Sequence, residues 1–155
     1  MITYRKADQT DIDTLTKMRV EFLCEVNGEK MGPLKDRLQI ENRRYFARAM
    51  AEDTLVVWMA LYGGEIVANV GLTLYDVPPS CSCVNGKIGY ISNVYTLPRY
   101  RGQGIASILM EQLMAEAKAR GCTKIVLNAT DMGRPIYEKF GFVDAQNEMV
   151  HYMNG

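Results

Sequence analysis

Apolar residues recur along this chain in two rhythms, one of period two and one near 3.6, and their succession predicts strands and helices in turn. Residues 2 to 7, ITYRKA, alternate apolar and polar and predict a first strand. Asp8, Thr10 and Asp11 then offer helix N-caps, and Ile12, Leu15, Met18, Phe22 and Val26 recur at helical spacing to about Val26. Such a stripe reads first as core. Gly28 to Pro33 breaks it, and a second helix is expected over Leu34 to Met50, with Leu38, Tyr45, Phe46 and Ala49 on one side. Its basic residues Lys35, Arg37, Arg43, Arg44 and Arg48 read as a solvated face.

From Leu55 to Tyr62 and from Glu65 to Leu74, β-branched and aromatic residues flank Gly63-Gly64, a hairpin signature. Val77 to Gly86 is turn-rich. Lys87 to Leu97 is apolar without clean alternation, which predicts a strand buried on both faces. A helix over Gly104 to Arg120 follows, closed by Gly121 with Lys118 and Arg120 in its last turn. Lys124 to Ala129 predicts a strand parallel to the one before that helix, through a right-handed crossover. Arg134 to Phe140 reads as a short helix ended by Gly141, and Met149 to Met153 as a final strand.

Length and charge narrow the picture. A chain of 155 residues matches one domain, read here as residues 1 to 155. The balance of 18 basic and 18 acidic residues argues against a general nucleic-acid or membrane-surface binder, so any polyanion site must be local. The longest apolar run, Leu55 to Tyr62, is too short to span a bilayer, and the N-terminus lacks a secretory pattern, so the cytoplasm is the expected location. Cys24, Cys81, Cys83 and Cys122 have no Cys-x-x-Cys partner and His151 is the only histidine, so no metal site is expected. The Cys81/Cys83 loop reads as reduced thiols.

The chemistry concentrates in TLPRYRGQGIASILMEQL, residues 96 to 113. A strand end passes through arginines and glycines into an amphipathic helix, whose first N–H groups have no intrahelical partner and whose dipole favours an anion. Gly102 and Gly104 carry no Cβ to hold a ligand away, Arg99 and Arg101 add guanidinium charge, and Pro98 sets the bend. Arg101, Gly104 and Ala106 in that spacing resemble the pyrophosphate motif of the GNAT superfamily of acetyl-CoA dependent N-acetyltransferases. Arg99, Gly102 and Gly104 fit the same pattern one register earlier. The first register puts Ile105, Ile108, Leu109 and Leu113 on one stripe and is preferred. A second motif of that superfamily resembles Tyr137, Glu138, Lys139, Phe140, Gly141 and Phe142. The resemblance is strong over residues 87 to 143 and architectural before that.

The resemblance implies an α/β (α+β) GNAT fold, with a central mixed, mostly antiparallel twisted sheet of six to seven strands flanked by about four helices. It implies acetyl-CoA as co-substrate and no metal. The pyrophosphate would lie on Arg101, Gly102, Gln103, Gly104, Ile105, Ala106 and Ser107, and the pantetheine arm along the backbones of Val94 and Thr96. An N–H near Val94 or Tyr95 would face the acetyl carbonyl and stabilise the oxyanion. Tyr137 is the expected general acid for the departing thiolate, and Asn128 a substitute for the family's pantetheine-binding Asn, whose place Thr130 holds. Phe22 and Tyr45, with Met31, are candidates for the acceptor pocket, and Glu21, Glu25 and Asp76 for a base. The acceptor would be a primary amine of a small molecule or protein, and whether the chain forms a homodimer, as this fold often does, stays open. Two other readings stand beside this one. A GNAT-like module could bind coenzyme A without catalysis, as a sensor or interaction domain. A dinucleotide-binding oxidoreductase is the weaker fit, because Ser107 takes its third glycine position.

Overall fold

The structure is a computed structural model that describes residues 1–153. Its centre is one five-stranded sheet in the order β1-β2-β3-β4-β5. β1 (Ile2–Lys6), β2 (Leu55–Tyr62), β3 (Glu65–Asp76) and β4 (Lys87–Thr96) pair antiparallel, and β5 (Lys124–Leu127) runs parallel to β4. Gly63 and Gly64 join β2 to β3 with φ of 58° and 85°, positive values that match the right-handed strand twist.

Helices cover both faces. α1 (Ile12–Asn27) and α2 (Lys35–Ala51) pack on one, where Leu15, Met18 and Phe46 meet Val57, Met59 and Leu61 of β2. α3 (Ile105–Ala119) packs on the other, where Leu109, Met110 and Leu113 meet Ala60, Val70 and Leu72. The period-two alternation of β2 thus divides its side chains between two cores. α4 (Arg134–Lys139) lies beyond β5 in sequence and brings Tyr137 to the α3 side. Among the described residues no helix is long and apolar enough to cross a membrane.

Three expectations are corrected. The sheet has five strands among the described residues, not six or seven. Residues 149 to 153 form no strand: the segment pairs with nothing, and Met149, Tyr152 and Met153 are exposed. Strand-forming residue types make a strand only where a backbone ladder receives them. Ile108, expected on the buried stripe of α3, is instead 38% exposed.

The entry to α1 is fastened by two carboxylates. Asp8 accepts from the N–H of Thr10, and Asp11 accepts from the N–H of Asp8 at 2.9 Å and from both terminal nitrogens of Arg5 at 2.8 and 2.9 Å. The hydrogen bond from Arg5 holds the Asp11 carboxyl below the usual carboxylate range. Because the folded value is depressed, this contribution is complete at neutral pH and is lost as pH falls through the folded value. Asp11→Ala is expected to cost about 1–2 kcal/mol at pH 7, as a lost cap does. Urea titrations should show the gap from wild type narrowing in acid; a gap independent of pH contradicts the assignment.

Candidate functional site

The site begins with an extra residue in β4. Asn69 of β3 faces Tyr95, yet Gly71 faces Ser92, so two residues of β3 answer three of β4. The excess sits at Asn93, whose φ of 60° is a conformation asparagine tolerates better than most residues. Pairing with β5 stops at Ile91. From the bulge onward, Ser92 to Thr96 therefore have a strand on the β3 side alone, and a cavity opens where the next strand would run.

That cavity has a volume of about 450 Å³, within the size of small-molecule sites. Val94, Tyr95 and Thr96 form one wall, the α3 entrance the second, and Thr130, Gly133, Ile136 and Tyr137 the third. Phe22, Glu25 and Val26 of α1 close it from above. The hydrophobic stripe of α1 therefore splits: Ile12, Leu15 and Met18 are core, whereas Phe22 and Val26 face the cavity.

At the α3 entrance, Gly102 and Gly104 take φ of 78° and 80°, and a Cβ on either would meet nothing within 4 Å. Among the described residues no acceptor takes the backbone N–H groups of residues 102–107; the first bond of the helix runs from Ile108 to Gly104. Six consecutive donors beside the positive end of a fifteen-residue helix are what an anion needs. Gly102, Gly104, Ile105, Ala106 and Ser107 line the cavity, whereas Gln103 does not.

The arginines divide their roles. Arg101 turns inward: its Nε donates to the Thr96 carbonyl at 2.8 Å, its Nη2 to both oxygens of Glu25 at 3.1 and 2.9 Å, and its guanidinium lies 5.5 Å from the centre of the Tyr95 ring. It ties α1 to the end of β4. Arg99 points away and pairs with Glu65 at 2.7 Å. The charge at this cradle is thus largely compensated, which leaves the backbone amides as its uncommitted donors.

Tyr137 is 6% exposed, and burial raises its phenol above the ordinary value. Its ring meets Phe142 edge-on at 6.3 Å. Gly133 makes room for it, since a Cβ there would lie 2.7 Å from the Tyr137 hydroxyl oxygen. Among the described residues that hydroxyl has no hydrogen-bond partner, and it borders the cavity.

Other sequence candidates lie elsewhere. The Asn128 amide is outside the cavity wall and donates to the Tyr90 hydroxyl at 3.0 Å. Thr130 lines the cavity and accepts from the Gly133 N–H at 3.1 Å. Tyr45 borders a second cavity and shares a 2.5 Å hydrogen bond with Thr73. Glu25 is held by Arg101, Glu21 and Asp76 line neither cavity, and Met31 is buried away from both. Reading the residues alone missed Gly133 and Asn93. A glycine two residues before a proline, and an asparagine inside an apolar strand, were the signals at hand.

A helix mouth of free amides, reached along a strand edge that β5 leaves unpaired, has the shape and polarity that suit an extended anionic ligand. The family model described as "Acetyltransferase (GNAT) family" matches residues 20–142, and the chain belongs to that family. A predicted acetyltransferase from Clostridium acetobutylicum, solved with acetyl-CoA, is 37% identical with a TM-score of 0.88, over 99% of this chain and 97% of that one. A GCN5-related N-acetyltransferase from Ralstonia eutropha JMP134 is 28% identical with a TM-score of 0.91, over 100% of both. The glucosamine 6-phosphate N-acetyltransferase of Trypanosoma brucei brucei is 30% identical over 86 residues, a match spanning 56% of each chain.

Proposed function

We propose that this protein is an acetyl-CoA dependent N-acetyltransferase that acts on a primary amine of a small molecule. The observation that carries this reading is the convergence, on one cavity, of the free amides of Gly102 and of residues 104–107, the unpaired edge at Val94 to Thr96 and the Tyr137 hydroxyl. The open space over Gly102 and Gly104 fits a diphosphate close to the main chain. The strand-like gap beside Val94 and Thr96 fits a pantetheine arm. The likeness to a protein solved with acetyl-CoA supports the same ligand, and the glucosamine 6-phosphate relatives support a small acceptor.

Acetyl-CoA supplies an activated acyl group whose thiolate must be protonated as it leaves. Tyr137 is suited to that proton transfer, because burial keeps its phenol protonated throughout the neutral range and the hydroxyl is free to donate. A backbone N–H near Val94 or Tyr95, on the strand wall of this cavity, would stabilise the acyl oxygen as charge develops on it. No carboxylate other than the Arg101-bound Glu25 lines this cavity among the described residues, which favours deprotonation of the amine through water.

Saturating acetyl-CoA should raise the thermal midpoint by several degrees and NAD should not, because a ligand bound only to the native state stabilises it. Release of free thiol across a panel of amines then separates an enzyme from a pure binder. A chain that binds acetyl-CoA yet acetylates no amine is the sensor.

Gly133→Ala provides a separate check on Tyr137. The new methyl would stand 2.8 Å from two ring carbons as well as 2.7 Å from the hydroxyl oxygen, so the ring must move. The turnover number is expected to fall at least about tenfold, as displacement of a positioned acid requires. Adding the change to Tyr137→Phe should cause little further loss. Full additivity would show that the two residues act independently.

A further inference from the structure

The second cavity, about 240 Å³, opens on the residues of β4 that precede the acetyl-CoA wall. Ser92 and Asn93 line it, and Val94 to Thr96 line the first, so the bulge is the partition between the two. Its wall contains no aspartate or glutamate and one formal charge, Arg19.

Arg19 sits on α1 one turn before Phe22, with its guanidinium 5.5 Å from the centre of that ring. Among the described residues no carboxylate pairs with it and no oxygen accepts from it, whereas the other arginine bordering either cavity wall, Arg101, is engaged. Burial pulls its ionisation downward, and the charge-sensitive groups near enough to act on it are the hydroxyls of Tyr90 and Tyr45. Arg19 is half-buried, and a partly desolvated guanidinium with five donors and no anion is costly in a folded chain unless something else supplies the anion. One hydroxyl near it is free to donate. Tyr90 already accepts from Asn128, which leaves its own O–H to donate, and Tyr45 is tied to Thr73 at 2.5 Å. The amide of Asn93 is fixed as well: Met18 sulfur can only accept, so Asn69 turns its Nδ2 to it at 3.6 Å and its Oδ1 to the Nδ2 of Asn93.

We infer that this second cavity is the acceptor subsite, and that it takes a primary amine whose far end is an anionic oxygen group, a carboxylate or a phosphate, countered by Arg19. The inference rests on the acetyl-transfer reading and adds the substrate class to it. The guanidinium fork matches either anion in a bidentate way, and the partition at Ser92 and Asn93 leaves the amine end nearest the acyl site.

The test uses matched pairs of acceptors with the purified protein and acetyl-CoA: glycine against glycinamide, and glucosamine 6-phosphate against glucosamine. The anionic member of at least one pair is expected to show a kcat/KM at least tenfold above its neutral partner, and the pair that responds tells carboxylate from phosphate. Arg19→Met should collapse that ratio to about one, mainly through KM, and Arg19→Lys should restore part of it. The dissociation constant for acetyl-CoA should stay within twofold in both variants. Arg19→Met should also melt no lower than wild type, because it removes an unpaired, partly desolvated charge; a marked fall would assign Arg19 to the fold and overturn the inference. Equal use of neutral and anionic amines, or a ratio that survives Arg19→Met, overturns the inference and leaves acetyl transfer standing. No acetylation of any amine by a protein that binds acetyl-CoA overturns the transfer reading, and the acceptor subsite falls with it.

Discussion

Tyr137→Phe is expected to lower the turnover number by about 10²–10³-fold, the contribution of one positioned proton donor, while the dissociation constant for acetyl-CoA stays within about twofold. The ring is held in the α3-side core, against Phe142 and above Gly133, and phenylalanine refills that volume without a cavity. The hydroxyl has no internal partner among the described residues, so removing it orphans nothing, and the thermal midpoint should be unchanged or slightly higher. Loss of turnover without loss of stability or affinity is the signature of a group used in the transition state. The pH dependence adds an independent readout. Burial raises the phenol above its ordinary value, so the proton is present at neutral pH and is lost only beyond the ordinary tyrosine range. Wild-type kcat should therefore show no alkaline decline attributable to Tyr137 between pH 7 and about 10, given an unperturbed value near 10. A variant with wild-type turnover would remove Tyr137 from the chemistry.

The elements of this fold are written locally, and most of its site is not. The Ile12, Leu15, Met18 stripe, the Gly63-Gly64 hairpin and the Gly121 stop depend on neighbours within a few residues, and periodicity exposes them. The α3 cradle belongs to the same group, because its glycines, its free amides and its helix are consecutive. Tyr137 required two motifs in order, since it reaches the cavity only through the packing of α4. What stayed hidden depends on contacts between distant segments. Nothing in the local pattern of α1 says that Phe22 borders a cavity as well as the core, that Glu25 is claimed by Arg101, or that Arg19 is left without an anion. The terminal strand failed for a related reason: Met149 to Met153 carry strand-forming residues, but a ladder needs a second backbone.

Gly104→Ala should weaken acetyl-CoA binding by about 10–100-fold, or about 1.4–2.8 kcal/mol at 1.4 kcal/mol per factor of ten. Two effects of different origin are involved, and a control separates them. Gly104 has φ of 80°, so any L-residue there carries a left-handed penalty of about 1–2 kcal/mol whether or not ligand is present. In a chain of this size that lowers the thermal midpoint by roughly 2–4 °C per kcal/mol. The second effect requires ligand: the new methyl would occupy the open space beside the first-turn amides, where a diphosphate must come within hydrogen-bond distance of the main chain. Gly64 supplies the comparison. It has φ of 85°, a Cβ there also meets nothing within 4 Å, and it lies in the β2–β3 turn outside the cavity wall. Gly64→Ala should therefore show a similar fall in stability with an unchanged dissociation constant, measured by calorimetry well below both melting points. If the two variants bind acetyl-CoA equally well, the diphosphate does not rest on the amides of residues 102–107. A loss confined to Gly104→Ala ties binding to bare backbone rather than to the arginines, whose charges are already held by Glu25 and Glu65.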